Sequence, residues 1–147
     1  MTETTTMTEA AIPAIEKTLE LAAPRDLVWR AITEPDQLAQ WFPERAELDL
    51  APGGDGAFEW QEHGRFAVRV VAIEPQTYFA WRWANAPGAS IDAAAEKTLV
   101  EWWLADSRGG GTILRLRESG FTRPSHRDGN DEGWGEELGE LVALLAR

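Results

Sequence analysis

The sequence predicts an α+β domain in which an antiparallel sheet of six to seven strands packs against one long C-terminal helix. Three observations predict it. Six segments between residues 45 and 121 read as strands and are joined by short turns such as "PGGDG", "EPQ" and "SRGGG", a spacing that favours antiparallel hairpins. One strand and two short helical segments precede them. After residue 130 the apolar spacing becomes helical. A sheet apolar on one face and an amphipathic helix hide both faces only by packing together.

Taken in order, "AIEKTLEL" (14–21) is the first strand, with Ile15, Lys17, Leu19 and Leu21 in imperfect alternation. "AAPRDLVWRAIT" then takes helical spacing, with Pro24 at the first helical position and Asp26 at the positive end of the dipole. Leu27, Val28, Ala31 and Ile32 form its apolar stripe. Pro35 opens a second short helix, "PDQLAQWF", and Pro43 ends it. The later strands are 45–50, 56–60, 64–74, 77–84, 96–106 and 111–121, with a longer loop at 85–95. Val70 and Val71 break the alternation, which predicts a bulge. Asn130 is read as the cap of the last helix, followed by Asp131 and Glu132 at the positive end. Trp134, Leu138, Leu141, Val142 and Leu145 make its apolar face.

The 147 residues suit one domain, which buries roughly 68–70% of its unfolded surface. Residues 1–13 read as a disordered leader and 14–147 as the domain. The leader has neither positive charge nor apolar core, so it is not a signal peptide, and the expected location is cytoplasmic. Without cysteine there are neither disulfides nor thiolate metal sites. No apolar run approaches the ~20 residues of a membrane span. A net charge of -11 argues against nucleic acid and against an anionic membrane surface. Its plainest consequence is solubility.

The phrases "LELAAPRDLVWRAITEPDQLAQWF" and "GTILRLRESGF", followed by a terminal amphipathic helix, resemble a known family. This is the activator of heat-shock protein 90 ATPase-like group of the START-like, or SRPBCC, superfamily. The resemblance runs from about Ile15 to Leu145. It implies a helix-grip fold, in which a curved sheet wraps around the C-terminal helix and encloses a cavity. Members include ligand-binding proteins, cyclase-like and hydrolase-like enzymes, and domains that stimulate a chaperone ATPase. A chaperone is therefore the protein partner, and the stress response the setting, that the resemblance implies. No shared catalytic signature exists to transfer.

Strand parity assigns the inner face independently. Phe58 and Trp60 fall together, as do Phe66, Val68 and Val70, then Trp81 and Trp83, then Val100, Trp102 and Leu104. Leu114, Leu116 and Glu118 close the set. The ligand-facing residues expected from this pattern are Trp60, Phe66, Val68, Trp81, Trp83, Trp102, Leu116 and Glu118, with Trp134 and Leu138 facing them from the helix. The outer face collects Arg69, Arg82, Glu101, Arg115 and Arg117. Such an aromatic set fills a packed core or lines an open pocket. Indoles pack with gaps and each N–H needs a partner, which favours the pocket. Gly135 and Gly139 allow either a close helix–sheet approach or room for a ligand. Glu118 is either bonded to arginine or water at a cavity rim, or a polar anchor for a ligand. An isolated buried carboxylate is too costly to stand alone.

Chemistry-bearing clusters are otherwise missing. His63 lies in the "QEHG" turn and His126 in the loop "RPSHRDGN", and lone loop histidines are usually solvated. Paired-histidine spacing is absent, so neither a metal nor a cofactor is expected. Ser125 and His126 are adjacent in sequence, which is not triad geometry. Glu136 and Glu137 are placed on the solvated side of the helix.

Three readings follow, in this order. The first is a protein that binds a small or medium hydrophobic, preferably aromatic, molecule between sheet and helix. The second is a chaperone-ATPase activator-like interaction module working through its outer surface. The third is a cyclase- or hydrolase-type enzyme using Glu118 or a histidine as acid or base. Monomer and dimer are both open.

Overall fold

The computed structural model describes residues 12–94 and 96–146. The leader expected at 1–13 lies almost wholly outside the described residues. Strand β1 (Ile15–Leu21) leads into helix α1 (Arg25–Thr33) and a single-turn helix α2 (Pro35–Leu38). Strands β2 (Arg45–Leu48), β3 (Asp55–Trp60), β4 (Gly64–Glu74), β5 (Tyr78–Ala84), β6 (Lys97–Asp106) and β7 (Thr112–Ser119) follow, and helix α3 (Pro124–Leu145) ends the chain.

The seven strands form one antiparallel sheet in the order β1-β7-β6-β5-β4-β3-β2. Strands β2 to β7 are a meander in which each pairs with its sequence neighbour. Only β1 pairs at long range, with Ile15 opposite Glu118 and Leu21 opposite Thr112. The chain therefore leaves one edge of the sheet after β1 and enters the other edge at β2. Helices α1 and α2 bridge that gap.

Alternation is clean where the sheet is covered. In β6, Thr98, Val100, Trp102 and Leu104 are buried, and in β7 Thr112, Leu114, Leu116 and Glu118 are buried. The register slips between Val70 and Ala72, the bulge the double valine predicts, and Val71 is turned outward. From α1 the core takes Val28, Ala31 and Ile32, and from α3 it takes Trp134, Leu138 and Leu141. Each fully buried large side chain contributes about 1.5–3 kcal/mol relative to exposure.

Three local expectations are corrected. Leu27 is 43% exposed and Val142 44% exposed, because each stripe is narrower than the spacing allows. Asn130 does not cap α3. The helix begins six residues earlier at Pro124, whose ring presets the first helical turn, so Asn130 sits inside it. His126 is accordingly in the first turn of α3 rather than in a loop. No helix among the described residues is long and apolar enough to cross a membrane.

Candidate functional site

Glu118 organises the interior. It is the last inward residue of β7 and is 0% exposed. One carboxylate oxygen accepts from Trp134 Nε1 (2.8 Å) and Asn130 Nδ2 (3.2 Å). The other accepts from Trp83 Nε1 (2.9 Å), Thr98 Oγ1 (2.5 Å) and Asn130 Nδ2 (3.0 Å). Each partner arrives for a structural reason. Thr98 stands opposite Trp83 across the β5–β6 ladder, and Val100 stands opposite Glu118 across β6–β7. Thr98 is thus the diagonal neighbour of Glu118 on the inner face. Asn130 and Trp134 lie one turn apart on α3 and so share a face. Gly120, at φ +97°, turns the chain directly after β7, and Phe121 packs edge-on to His126 at 4.9 Å. The carboxylate therefore ties three elements together through four donors, none of them cationic.

In front of this node lies a cavity of about 400 Å³. Its aromatic wall is Phe42, Trp60, Phe66, Trp83 and Trp134, and its rim carries His63, Asn85, His126, Asn130, Glu136 and Glu137. Phe42 is the hub, stacked on Trp134 at 4.9 Å and meeting Trp60 edge-on at 5.2 Å. Trp60 is fixed in turn by donating its indole N–H to the Phe42 carbonyl (3.1 Å). Gly129 and Gly133, one turn apart on α3, complete the wall. A methyl group added at either would meet no atom within 4 Å. These glycines leave space instead of permitting close packing.

Residues 22–146 match the family model described as Activator of Hsp90 ATPase homolog 1-like protein. The chain belongs to this family. Among solved structures it is similar to the protein MLL2253 of Mesorhizobium loti (26% identity, TM-score 0.79), over 92% of this chain and 98% of that one. It is similar in fold to DynU16, from the dynemicin biosynthetic locus (24% identity, TM-score 0.77), over 92% of this chain. This chain spans only 48% of DynU16. The Aha1 dimer from Colwellia psychrerythraea shares the fold at 19% identity and TM-score 0.72, over 91% and 96% of the two chains. No curated protein matches the sequence.

In this Hsp90-activator-like domain the residues expected to face a ligand divide into two groups. Trp60, Phe66, Trp83 and Trp134 line the cavity. Val68, Trp81, Trp102, Leu116 and Leu138 are instead packed in the core behind it, with Trp81 and Trp102 both 0% exposed. Parity gives the inner face but not the depth, because rings from other elements, such as Phe42 and Phe58 on Trp81 and Trp41 and Trp134 on Trp102, close over part of that face. Glu118 is neither at a rim nor in contact with an arginine; it sits behind the wall and positions Trp83, Asn130 and Trp134.

Glu137 corrects a second expectation. It is half-buried at the cavity rim, where burial, together with Glu136 and Glu140, pushes its carboxyl up to about 7. One of its oxygens is sealed from solvent without a hydrogen-bond partner among the described residues. His126 lies below its ordinary range, chiefly through burial, against the opposing pull of Glu118 and Glu96. Asn130 Nδ2 approaches its Nε2 at 3.3 Å, and its Nδ1 is buried without a hydrogen-bond partner among the described residues. The sequence reasoning missed Phe42, Asn130 and Thr98. The i, i+3, i+4 spacing of Leu38, Trp41 and Phe42 was the available signal for the first. Reading Asn130 as a cap hid its place on the Trp134 face. Among the described residues no group of three or more His, Asp or Glu is placed to hold a metal.

Proposed function

We propose that this domain binds a small, largely apolar and aromatic molecule in the cavity between β3–β5 and α3. The observation that carries the reading is the about 400 Å³ space bounded by five aromatic rings and by two helix glycines. Glycine inside a helix costs up to about 1 kcal/mol relative to alanine. Two of them beside open space exchange stability for volume, as binding sites do. Mostly apolar walls with a few convergent polar groups are the usual composition of a ligand pocket.

Isothermal calorimetry with 4-phenylbutanol, a neutral probe, tests this reading. Saturable one-to-one binding is expected, lost when Gly133→Leu fills the space. Undiminished binding to that variant, with its fold intact by circular dichroism, would place the ligand elsewhere.

The family's name favours a second reading, contact with a chaperone ATPase. The outer sheet face offers Trp103 under the Arg115 guanidinium (5.0 Å) and beside Tyr78 (5.4 Å). An unchanged Hsp90 ATPase rate in the presence of this protein would remove that reading.

A further inference from the structure

The cavity wall has a chemical polarity of its own. Every indole N–H along it is already used. Trp60 donates to the Phe42 carbonyl, and Trp83 and Trp134 donate to Glu118. What faces the cavity from these residues is aromatic carbon surface, which attracts cations through its quadrupole.

The charged groups at the rim are carboxylates. Glu136 and Glu137 are there, and neither lysine nor arginine is among the residues that line it. The arginines at the start of α3 are engaged elsewhere: Arg123, which precedes the helix, grips Glu96 (2.7 Å), and Arg127 lies against Asp128 and Asp131 (3.4 and 3.9 Å). The Glu137 oxygen sealed from solvent has no donor among the described residues. A carboxylate held in part away from water is costly when ionised, and a cation beside it lowers that cost.

The geometry points to an organic cation, an amine or quaternary ammonium carried on an apolar body, as the ligand class of this cavity. The inference rests on the ligand-binding reading above and adds the sign of the ligand's charge. An anion would be desolvated beside Glu136 and Glu137 with neither lysine nor arginine to receive it. A neutral molecule would fill the aromatic space but leave the Glu137 charge uncompensated. A cation meets the rings with its body and Glu137 with its charged end. The chain's net charge of -11 draws cations toward the mouth as well.

Three probes with the same phenyl-alkyl body separate these cases: 4-phenylbutylamine, 4-phenylbutanol and 4-phenylbutyrate, each titrated into the full chain by calorimetry at pH 7.5. The amine is expected to bind about tenfold more tightly than the alcohol, and the carboxylate more weakly than either. Glu137→Gln, with its fold checked by circular dichroism, is expected to remove the amine's advantage over the alcohol. An amine no tighter than the alcohol, or a carboxylate that matches the amine, overturns the charge assignment and leaves the ligand-binding reading standing. Failure of all three probes to bind overturns both.

Discussion

Replacing Glu118 with alanine removes the acceptor of four donors at once. Two of those donors, Trp134 Nε1 and Thr98 Oγ1, belong to buried residues that water does not reach. Each buried donor left unpaired costs about 1–3 kcal/mol. Trp83 and Asn130 border the cavity, so water replaces their lost partner at small cost. Removing a desolvated carboxylate returns part of the loss. The net destabilisation expected for Glu118→Ala is about 3–5 kcal/mol, which is a large share of the total of about 5–15 kcal/mol for a folded domain. At about 2–4 °C per kcal/mol for a chain of this length, the melting temperature falls by roughly 6–20 °C. Glu118→Gln keeps the shape but turns an amide N–H₂ toward donors, and about 2–3 kcal/mol is expected. Urea unfolding followed by tryptophan fluorescence measures both, since the indoles of Trp83 and Trp134 report on the node directly. A Glu118→Ala variant within about 1 kcal/mol of the parent, at unchanged denaturant slope, would refute the view that this carboxylate joins β5, β6 and α3.

Two further outcomes follow from the same face of α3. Glu137 holds its proton up to about pH 7 in the folded chain, against 4.5 for an unperturbed carboxyl, so stability falls as pH rises between those values; Glu137→Gln is expected to flatten that fall by about 1 kcal/mol, after allowance for the solvent screening of a half-exposed group. The difference between parent and variant isolates this effect from His126, which shifts stability the opposite way as it charges on acidification. Gly133→Ala is expected to raise stability by about 0.5–1 kcal/mol in urea unfolding, because the added methyl meets nothing within 4 Å and the unfolded chain loses freedom; destabilisation would refute the open space assigned beside Gly133.

The elements of the fold were largely legible from local pattern. Period-two alternation in β6 and β7 marked the buried rows from Val100 to Leu104 and from Leu114 to Glu118. The double valine marked the bulge. Legibility failed where two local signals competed, as at the start of α3, where Asn130 looked like a cap while Pro124 set the true beginning. It also failed at Leu27 and Val142, whose apolar character said nothing of the width of the groove each helix occupies.

The sequence by itself determined which residues face inward, since side-chain direction follows from strand parity and helical spacing. It also placed a carboxylate among tryptophans. Only the tertiary structure decided which inward residues are core and which are wall. Trp81 is closed over by Phe42 and Phe58 and Trp102 by Trp41 and Trp134, whereas Trp60 and Trp83 border the open space in front of α3. That division depends on which rings from other elements close over each side chain, and those contacts join residues far apart in the chain. The same long-range contacts turned Glu118 from a candidate ligand anchor into the group that holds the wall in place, and brought Glu137 from the expected solvent side to the cavity rim.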